Sequence, residues 1–311
     1  MRDDPARTLP LNQIEDVVVI GQGSVTTQAL HSLMDKNVPV HYIDSGGRYK
    51  GSLTSGRGKG YAVRRLQYEA ADSLEASLAI AKNFIMGKLL GERRTLLRYL
   101  YKNRQTDSSL QEICSELAHL SRLALRQENI EDLRGIEGVA AAKYFGAFSD
   151  ILQPPWFFRE RNRRPPRDPV NAMLSFGYTL LLSSVTTAAI IAGLDPCVGF
   201  NHKEYRGRPS VALDMMEEFR SPVVDRMVIA SCNQGRLKPE DFEPEDGDGI
   251  KMSAPARKLF MKLYGERLRE TAKNDGTGQT SNYENHIRTQ AAMLVRHLRG
   301  QGEYLPFINA K

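Results

Sequence analysis

Residues 169–194 contain no charged side chain. A run of that length either crosses a bilayer or lies inside a soluble core. Ser175, Thr179, Ser183, Ser184, Thr186, Thr187 and Gly177 dilute its apolarity, and Asp195-Pro196 follows where a basic anchoring flank would stand in a membrane span. The segment therefore reads as a long buried helix. Asp168 is placed to cap its first free N–H groups, and Pro169 falls at the first helical position, where a missing N–H costs least. A chain of 311 residues, 41% hydrophobic and 26% charged, has the apolar mass to surround such a helix, which excludes a disordered or fibrous protein. Its length suits one large domain or two unequal ones.

The first sixty residues read differently. Val17-Val18-Val19-Ile20 is a buried-strand pattern, followed by Gly21-Gln22-Gly23, a helical stretch 25–36 and a second strand 38–43 ending at Asp44. This looks like a dinucleotide fingerprint, with an acidic residue about 20 positions on. The third glycine, which lets helix and strand approach closely, is replaced by Thr26. A β-rich lobe with tight glycine turns is the better reading. It closes with Gly46-Gly47-Arg48 and a Gly- and Ser-rich run at 51–60, a linker or hairpin region.

From about Glu69 the apolar period becomes helical, with Leu74, Leu78, Ala81, Ile85, Leu89, Leu96, Leu97 and Leu100 at steps of mostly three or four. Further helical runs are predicted at 110–127, 138–151, 170–192, 211–219, 222–233, 254–270 and 283–299, with exposed loops at 246–249 and 274–278. The fold class expected is α+β: a small β-rich domain over 1–62, linker included, then a large all-α-helical catalytic domain over 63–311.

Lys and Arg number 43 against 37 Asp and Glu, a formal charge of +6 that suits a polyanionic partner without requiring one. Cys114, Cys197 and Cys232 show no Cys-x-x-Cys spacing, which supports neither a disulfide framework nor a zinc knuckle and fits a reducing cytoplasm. The start, MRDDPARTLP, lacks a signal-peptide design.

Of six histidines, His31, His41, His119, His286 and His297 read as satisfied or solvated residues. His202 differs. It ends Gly199-Phe200-Asn201-His202 and opens a polar loop, Lys203-Glu204-Tyr205-Arg206-Gly207-Arg208-Pro209, that leads onto a helix. On that helix Asp214 shares a face with Glu217 and with Glu218, and like charges at those spacings repel. A divalent cation between them would relieve the repulsion. A solvated acidic face near the helix N-terminus is the other reading, and residue types alone leave both open. Glu137 stands between Gly135 and Gly138, at the predicted mouth of a helix of small residues, either as a third ligand or as an acid favoured by the helix dipole.

The segment from Trp156-Phe157-Phe158 to Arg167 carries Arg159, Arg161, Arg163, Arg164 and Arg167. Guanidiniums pair bidentately with phosphate and aromatics stack on unpaired bases, so this stretch favours nucleic acid over a solvated basic loop. Arg93, Arg94, Arg98, Lys102 and Arg104 widen the patch along a helix.

Taken in order, these segments resemble the CRISPR-associated integrase-endonuclease family of spacer acquisition. The likeness rests on Pro10-Leu11, Ile14-Glu15-Asp16-Val17-Val18 and the glycine turn after it, Gly135-Ile136-Glu137-Gly138, and Pro166-Arg167-Asp168-Pro169-Val170-Asn171 with Leu174-Ser175 and Tyr178. It continues through Gly193-Leu194-Asp195-Pro196, Gly199-Phe200-Asn201-His202, Gly207-Arg208-Pro209-Ser210, Leu213-Asp214, Glu217-Glu218-Phe219-Arg220 and Tyr304-Leu305-Pro306-Phe307. The resemblance implies that Glu137, His202 and Glu217 are catalytic metal ligands for Mg²⁺ or Mn²⁺, with Asp214 as a supporting acid. It also implies an N-terminal β domain, homodimers that assemble on the CRISPR-associated protein numbered two, and double-stranded DNA as partner. Relatives usually carry additional strands before residues 10–18, so a shortened β lobe is expected here.

The reaction so implied is attack of a DNA 3′-hydroxyl on a phosphodiester of the CRISPR array, an antiviral insertion of short foreign fragments. The metal would polarise the phosphoryl oxygen. Arg208 and Arg220 would neutralise developing charge, and the 159–167 arginines would hold the backbone. Two rival readings are a non-catalytic DNA-binding protein, which needs only the arginines, and a hydrolytic repair nuclease that uses water at the same site.

Overall fold

Val17–Ile20 forms β1 and Thr27–Asp35 forms α1, which crosses to a parallel β2 at Val40–Ile43; β3 at Tyr49–Leu53 returns antiparallel beside β2. This is a computed structural model, and it describes residues 8–14, 17–44, 49–55, 60–103, 108–202, 207–245 and 247–310. Glu15, Asp16, the Gly46-Gly47-Arg48 turn, residues 56–59 of the glycine-rich run, Arg104, residues 203–206 and Asp246 lie outside the described residues, as does the Lys102 side chain. Thr26, which breaks the dinucleotide pattern, caps α1 by accepting a hydrogen bond from the Ala29 N–H. The lobe has its own small core of Leu33, Val38 and Val40. His41 Nδ1 pairs with Ser52 Oγ across the sheet, at 2.7 Å.

The rest of the chain is mainly helical, as the change of period predicted. In order come α2 (Gly60–Asp72), α3 (Leu74–Asn103), α4 (Ser108–Ala124), α5 (Ile130–Gly146), the short α6 (Phe148–Ile151), α7 (Pro169–Ile191), α8 (Ser210–Phe219), α9 (Arg226–Asn233), α10 (Ala254–Arg269) and α11 (Tyr283–Leu298). Two hairpins interrupt this domain, β4–β5 (Phe242–Glu245 and Gly249–Met252) and β6–β7 (Thr271–Lys273 and Thr280–Asn282). Both turns read in the sequence only as exposed loops, because three- and four-residue strands are too short to show a period.

α7 is the uncharged segment. By length and hydropathy it would cross a membrane, yet 61% of its most apolar window is buried inside the fold. Asp168 accepts from the Asn171 N–H at 2.8 Å and Pro169 opens the helix, as predicted. Gly177 is where another element passes closest, since a Cβ there would lie 2.5 Å from Val224.

Three boundaries differ from expectation. α2 begins at Gly60 rather than near Glu69, so helix starts at the end of the run read as linker or hairpin. α5 starts at Ile130, capped by Asn129, so Glu137 lies inside a helix rather than at its mouth. The N-terminal dipole reading of that residue is thereby removed, because the dipole effect fades within the first turn. Separate helices are expected at 211–219 and 222–233. Instead Arg220–Asp225 forms a π-turn that runs from α8 into α9, and the Arg226 N–H reaches back to the Ser221 carbonyl. The wider turn absorbs Pro222, which has no N–H to give.

The C-terminal tail is anchored by a buried acid. Glu218 is fully buried and accepts hydrogen bonds from the Tyr304 hydroxyl at 2.7 Å, the Phe307 N–H at 2.8 Å and Gln290 at 3.0 Å. Phe307 stacks on Phe219 at 4.8 Å. Burial pushes the Glu218 carboxyl up to about 8, against the pull of those three donors. A group whose pKa rises on folding stabilises most when protonated, so this contribution is full at low pH and is lost as the pH climbs toward 8. Replacing Glu218 with Gln is expected to flatten the stability–pH curve between pH 5 and 8 by about one proton, ~1.4 kcal/mol per pH unit, as read by denaturant melts.

Candidate active site

Lys88 lies on the buried face of α3, among Phe84, Ile85 and Leu89. Its ammonium meets Glu137 Oε1 of α5 at 2.5 Å and Glu217 Oε2 of α8 at 2.9 Å. Arg220, one turn beyond Glu217, brings its Nε to the same Oε2 at 2.9 Å. Two carboxylates far apart in sequence therefore converge on one cation between three helices. Burial alone would push Glu217 up, but Arg220 and Lys88, with His202 further out, hold it down at about 2. The same burial works against the Lys88 charge, yet Glu217, Glu137 and Glu92 raise its pKa above the ordinary lysine range. Both groups are ionised at neutral pH.

Glu92, one turn from Lys88, is the opposite case. Burial pushes its carboxyl up to about 8; Lys88 pulls it down only in part, while Asp225, Glu217 and Glu137 add repulsion. It is a neutral acid beside an ionised pair, and its Oε2 has no hydrogen-bond partner among the described residues.

His202 is set by Asp214. Among the described residues, every hydrogen bond to this buried carboxylate comes from one loop. Asp214 Oδ2 accepts from the N–H groups of Phe200 (2.6 Å) and Asn201 (3.0 Å), and Oδ1 from the His202 N–H at 3.0 Å and its Nδ1 at 2.6 Å. That pairing fixes the imidazole with Nε2 outward, the arrangement in which a metal-binding histidine is held by a carboxylate. Gly199 makes the turn possible, because a Cβ there would lie 2.7 Å from Asp214 Oδ2. Ser77 holds the Phe200 carbonyl at 2.9 Å, Gln67 holds those of Asp195 and Val198, and Arg134 of α5 grips the Asn201 carbonyl. The loop is thus tied to α2, α3, α5 and α8 at once.

The acidic cluster on α8 therefore divides. Asp214 clamps a loop, Glu217 enters the ion-pair centre and Glu218 anchors the tail, so the predicted common face does not face solvent. The side chains of Glu137 and His202 are each 20% exposed, against 2% for Glu217, so the centre opens to solvent on their side.

Among the described residues no three His, Cys, Asp or Glu side chains already stand together as a metal cage; the cation shared by Glu137 and Glu217 is the Lys88 ammonium. The donors nevertheless suit a hard divalent ion. Glu217 Oε2 is buried without an aligned hydrogen bond, two cations facing it off axis. His202 Nε2 has no hydrogen-bond partner among the described residues, and the oxygen-plus-imidazole set matches Mg²⁺ or Mn²⁺.

The basic residues separate as well. Arg159, Arg163, Arg164, Arg167 and Arg208 are exposed. Arg161 is held inside, donating to Asn171 at 2.7 Å and Ser175 at 3.0 Å and lying 5.5 Å over the Tyr178 ring. Arg220, its side chain 15% exposed, lies on Glu217 and stacks 4.7 Å over the same ring. Phe157 alone of the three aromatics is exposed; Phe158 is buried in the core and Trp156 packs edge-on against Phe242. Arg93 and Arg94 bond backbone carbonyls near Cys114 and the C-terminus, and Arg94 also pairs with Asp275. Sequence reasoning missed Lys88, Glu92 and Asp225. For Lys88 and Glu92 the available signal was a charge on the apolar stripe of α3, which a periodicity scan passes over as noise.

The family model described as CRISPR associated protein Cas1 matches residues 2–266. A CRISPR-associated endonuclease Cas1 of Thermus thermophilus is 37% identical over 300 residues, covering 96% of this chain and 87% of that protein. A chain of a partial Cas6-RT-Cas1–Cas2 complex superposes with a TM-score of 0.81 at 28% identity, over 100% of this chain and 93% of that one. A casposase bound to integration product gives 0.75 at 25% identity, over 95% and 81%.

Since Asp214 acts through His202, Asp214→Asn should weaken Mn²⁺ binding by roughly 10- to 100-fold. A Mn²⁺ titration read by electron paramagnetic resonance checks this, and an unchanged affinity would remove the clamp from the site.

Proposed function

We propose, from the premise that this chain belongs to the CRISPR-associated Cas1 family, that it is a metal-dependent DNA endonuclease and integrase that inserts short foreign fragments into a CRISPR array. The observation that carries this reading is the convergence of Glu137 and Glu217 on one buried cation, with His202 held by Asp214 within electrostatic reach of Glu217. The casposase relative, bound to an integration product, supports strand transfer as the class of reaction. A Mg²⁺ or Mn²⁺ ion held by Glu137, Glu217 and His202 Nε2 would supply Lewis-acid polarisation of a phosphoryl oxygen.

The chain's own residues supply the rest. Asp214 fixes the imidazole tautomer at Nδ1, so Nε2 keeps its lone pair outward. Lys88 and Arg220 keep Glu217 ionised and place positive charge where a phosphodiester gains negative charge. Arg208, exposed just before α8, extends that charge outward. Exposed Arg159, Arg163, Arg164 and Arg167 grip the DNA backbone, which carries no sequence information. In the transfer itself the 3′-oxygen of the fragment bonds to an array phosphorus, and the array's own P–O3′ bond breaks to leave a free 3′-hydroxyl.

Homodimers assembled with a Cas2-type partner complete the proposal, supported by a structural neighbour that belongs to a Cas1–Cas2 complex. Three cysteines, none in a disulfide, fit a cytoplasmic setting.

Incubation with Mn²⁺, a synthetic array, fragment DNA and the small partner should yield branched product. Glu137→Ala, His202→Ala or Glu217→Ala should lower its yield by roughly 100-fold or more while duplex binding survives. Free ends without branches would point to hydrolysis, and full activity in these variants would defeat the reading. Replacing Arg163 and Arg164 together by Ala should reduce the salt dependence of duplex binding by about 0.9 log unit of slope for each phosphate no longer neutralised. A slope that does not move would take both residues out of the interface.

A further inference from the structure

A cleft of about 160 Å³ lies between the end of α3, the π-turn with α9, and the end of α10. Three guanidiniums line it, those of Arg98, Arg226 and Arg267, with the amides of Gln153 and Gln234 and the Tyr99 ring, and no carboxylate among them. Arg226 decides its character. It is only 7% exposed, its Nε donates to Thr95 Oγ1 at 2.9 Å, and its terminal nitrogens have no partner among the described residues. Among the described residues no acid pairs with Arg226 or Arg98 there; Glu270, half exposed, pairs with Arg267 alone. Arg267 is otherwise occupied by the Pro222 carbonyl and by the Tyr283 hydroxyl and ring. Burial lowers the Arg226 pKa and nearby Arg267 and Arg98 lower it further, with Tyr283 opposing them.

Buried cations are ordinarily paired, and an unpaired one costs several kcal/mol. Here the cationic fork faces a polar cleft that two more guanidiniums share. Planar five-donor groups match the oxygens of a tetrahedral anion, and arginine is the residue suited to that geometry. Three like charges with a single acid on Arg267, and that one half exposed, are relieved by an anion from outside the chain.

We propose that this cleft binds a phosphate group through Arg226, Arg98 and Arg267. The same chemistry is offered by a DNA backbone phosphodiester and by free phosphate. Gln153 leads directly into the segment that carries exposed Arg159, Arg163 and Arg164, which favours the DNA backbone. The cleft is also wired to the centre described above. Arg226 bonds Thr95, Ser221 donates to Thr95 at 2.7 Å, and Tyr144 lies between Ser221 and Asp225. Tyr178 joins Asp225 at 2.6 Å and carries Arg220, the cation on Glu217. The phosphate site does not depend on the strand-transfer reading, because it needs none of Glu137, His202 or Glu217.

Inorganic phosphate titrated by calorimetry into the full chain in phosphate-free buffer tests the site, alongside duplex binding measured over a range of salt. Arg98 is exposed, so Arg98→Gln spares the fold even if Arg226→Met does not. Saturable phosphate binding, weakened roughly tenfold by Arg98→Gln and untouched by Glu217→Ala, is the expected result. A salt slope reduced by about 0.9 in Arg98→Gln assigns the site to the DNA backbone, and an unchanged slope with weakened phosphate binding assigns it to free phosphate. If Arg98→Gln changes neither readout, the proposal is overturned.

Discussion

Three acids are buried on the short helix α8, and a buried acid left without partners is among the most expensive things a fold can hold. Each of the three obtains partners from a different part of the chain. Asp214 takes the backbone of the 200–202 loop, Glu217 takes Lys88 and Arg220, and Glu218 takes the tail at 304–307 with Gln290. Satisfying α8 thus fixes where α3, the histidine loop and the C-terminus must lie. Removing one partner of a buried pair of this kind typically costs about 3–5 kcal/mol. The same arrangement that prevents that loss also assembles the proposed catalytic residues, so stability and function rest on one set of interactions.

The polar interior continues beyond α8 through the π-turn. Asp225 receives hydroxyls from Tyr144 and Tyr178, and burial still pushes it up to about 6. Glu92 is pushed up to about 8 nearby, while Glu217 is held at about 2. Neighbouring acids are thus driven apart in protonation by how far nearby cations offset their burial, a pattern that marks functional sites. π-turns recur at such sites because the extra residue re-aims side chains without ending the helix. Here it lets Arg220 look back at Glu217 while Arg226 turns to the phosphate cleft.

Much of the fold was legible in the sequence because it depends on local patterns. The α7 segment carried its cap, its opening proline and its uninterrupted apolarity, and β1 and most helix boundaries followed the period. Asn129 caps α5, but the glycines on either side of Glu137 drew the boundary eight residues too late. Pro222 misled in a similar way, since a π-turn with proline in it leaves no periodic trace. The arginine-rich segment was correctly seen as a cluster, yet its composition could not show that Arg161 faces inward to Asn171 while Arg159 and Arg163 face out.

The sequence by itself determined the two-part architecture, the buried nature of its uncharged helix and, through the ordered motifs, the family. Those are properties of residue order and composition, to which neighbours along the chain respond. Only the tertiary structure decided which acids share a cation, that Asp214 is a clamp rather than an outward acid, and that Lys88, silent on an apolar stripe, lies at the centre. Protonation and pairing depend on which groups are brought within a few ångströms across three helices, and no local pattern encodes that distance.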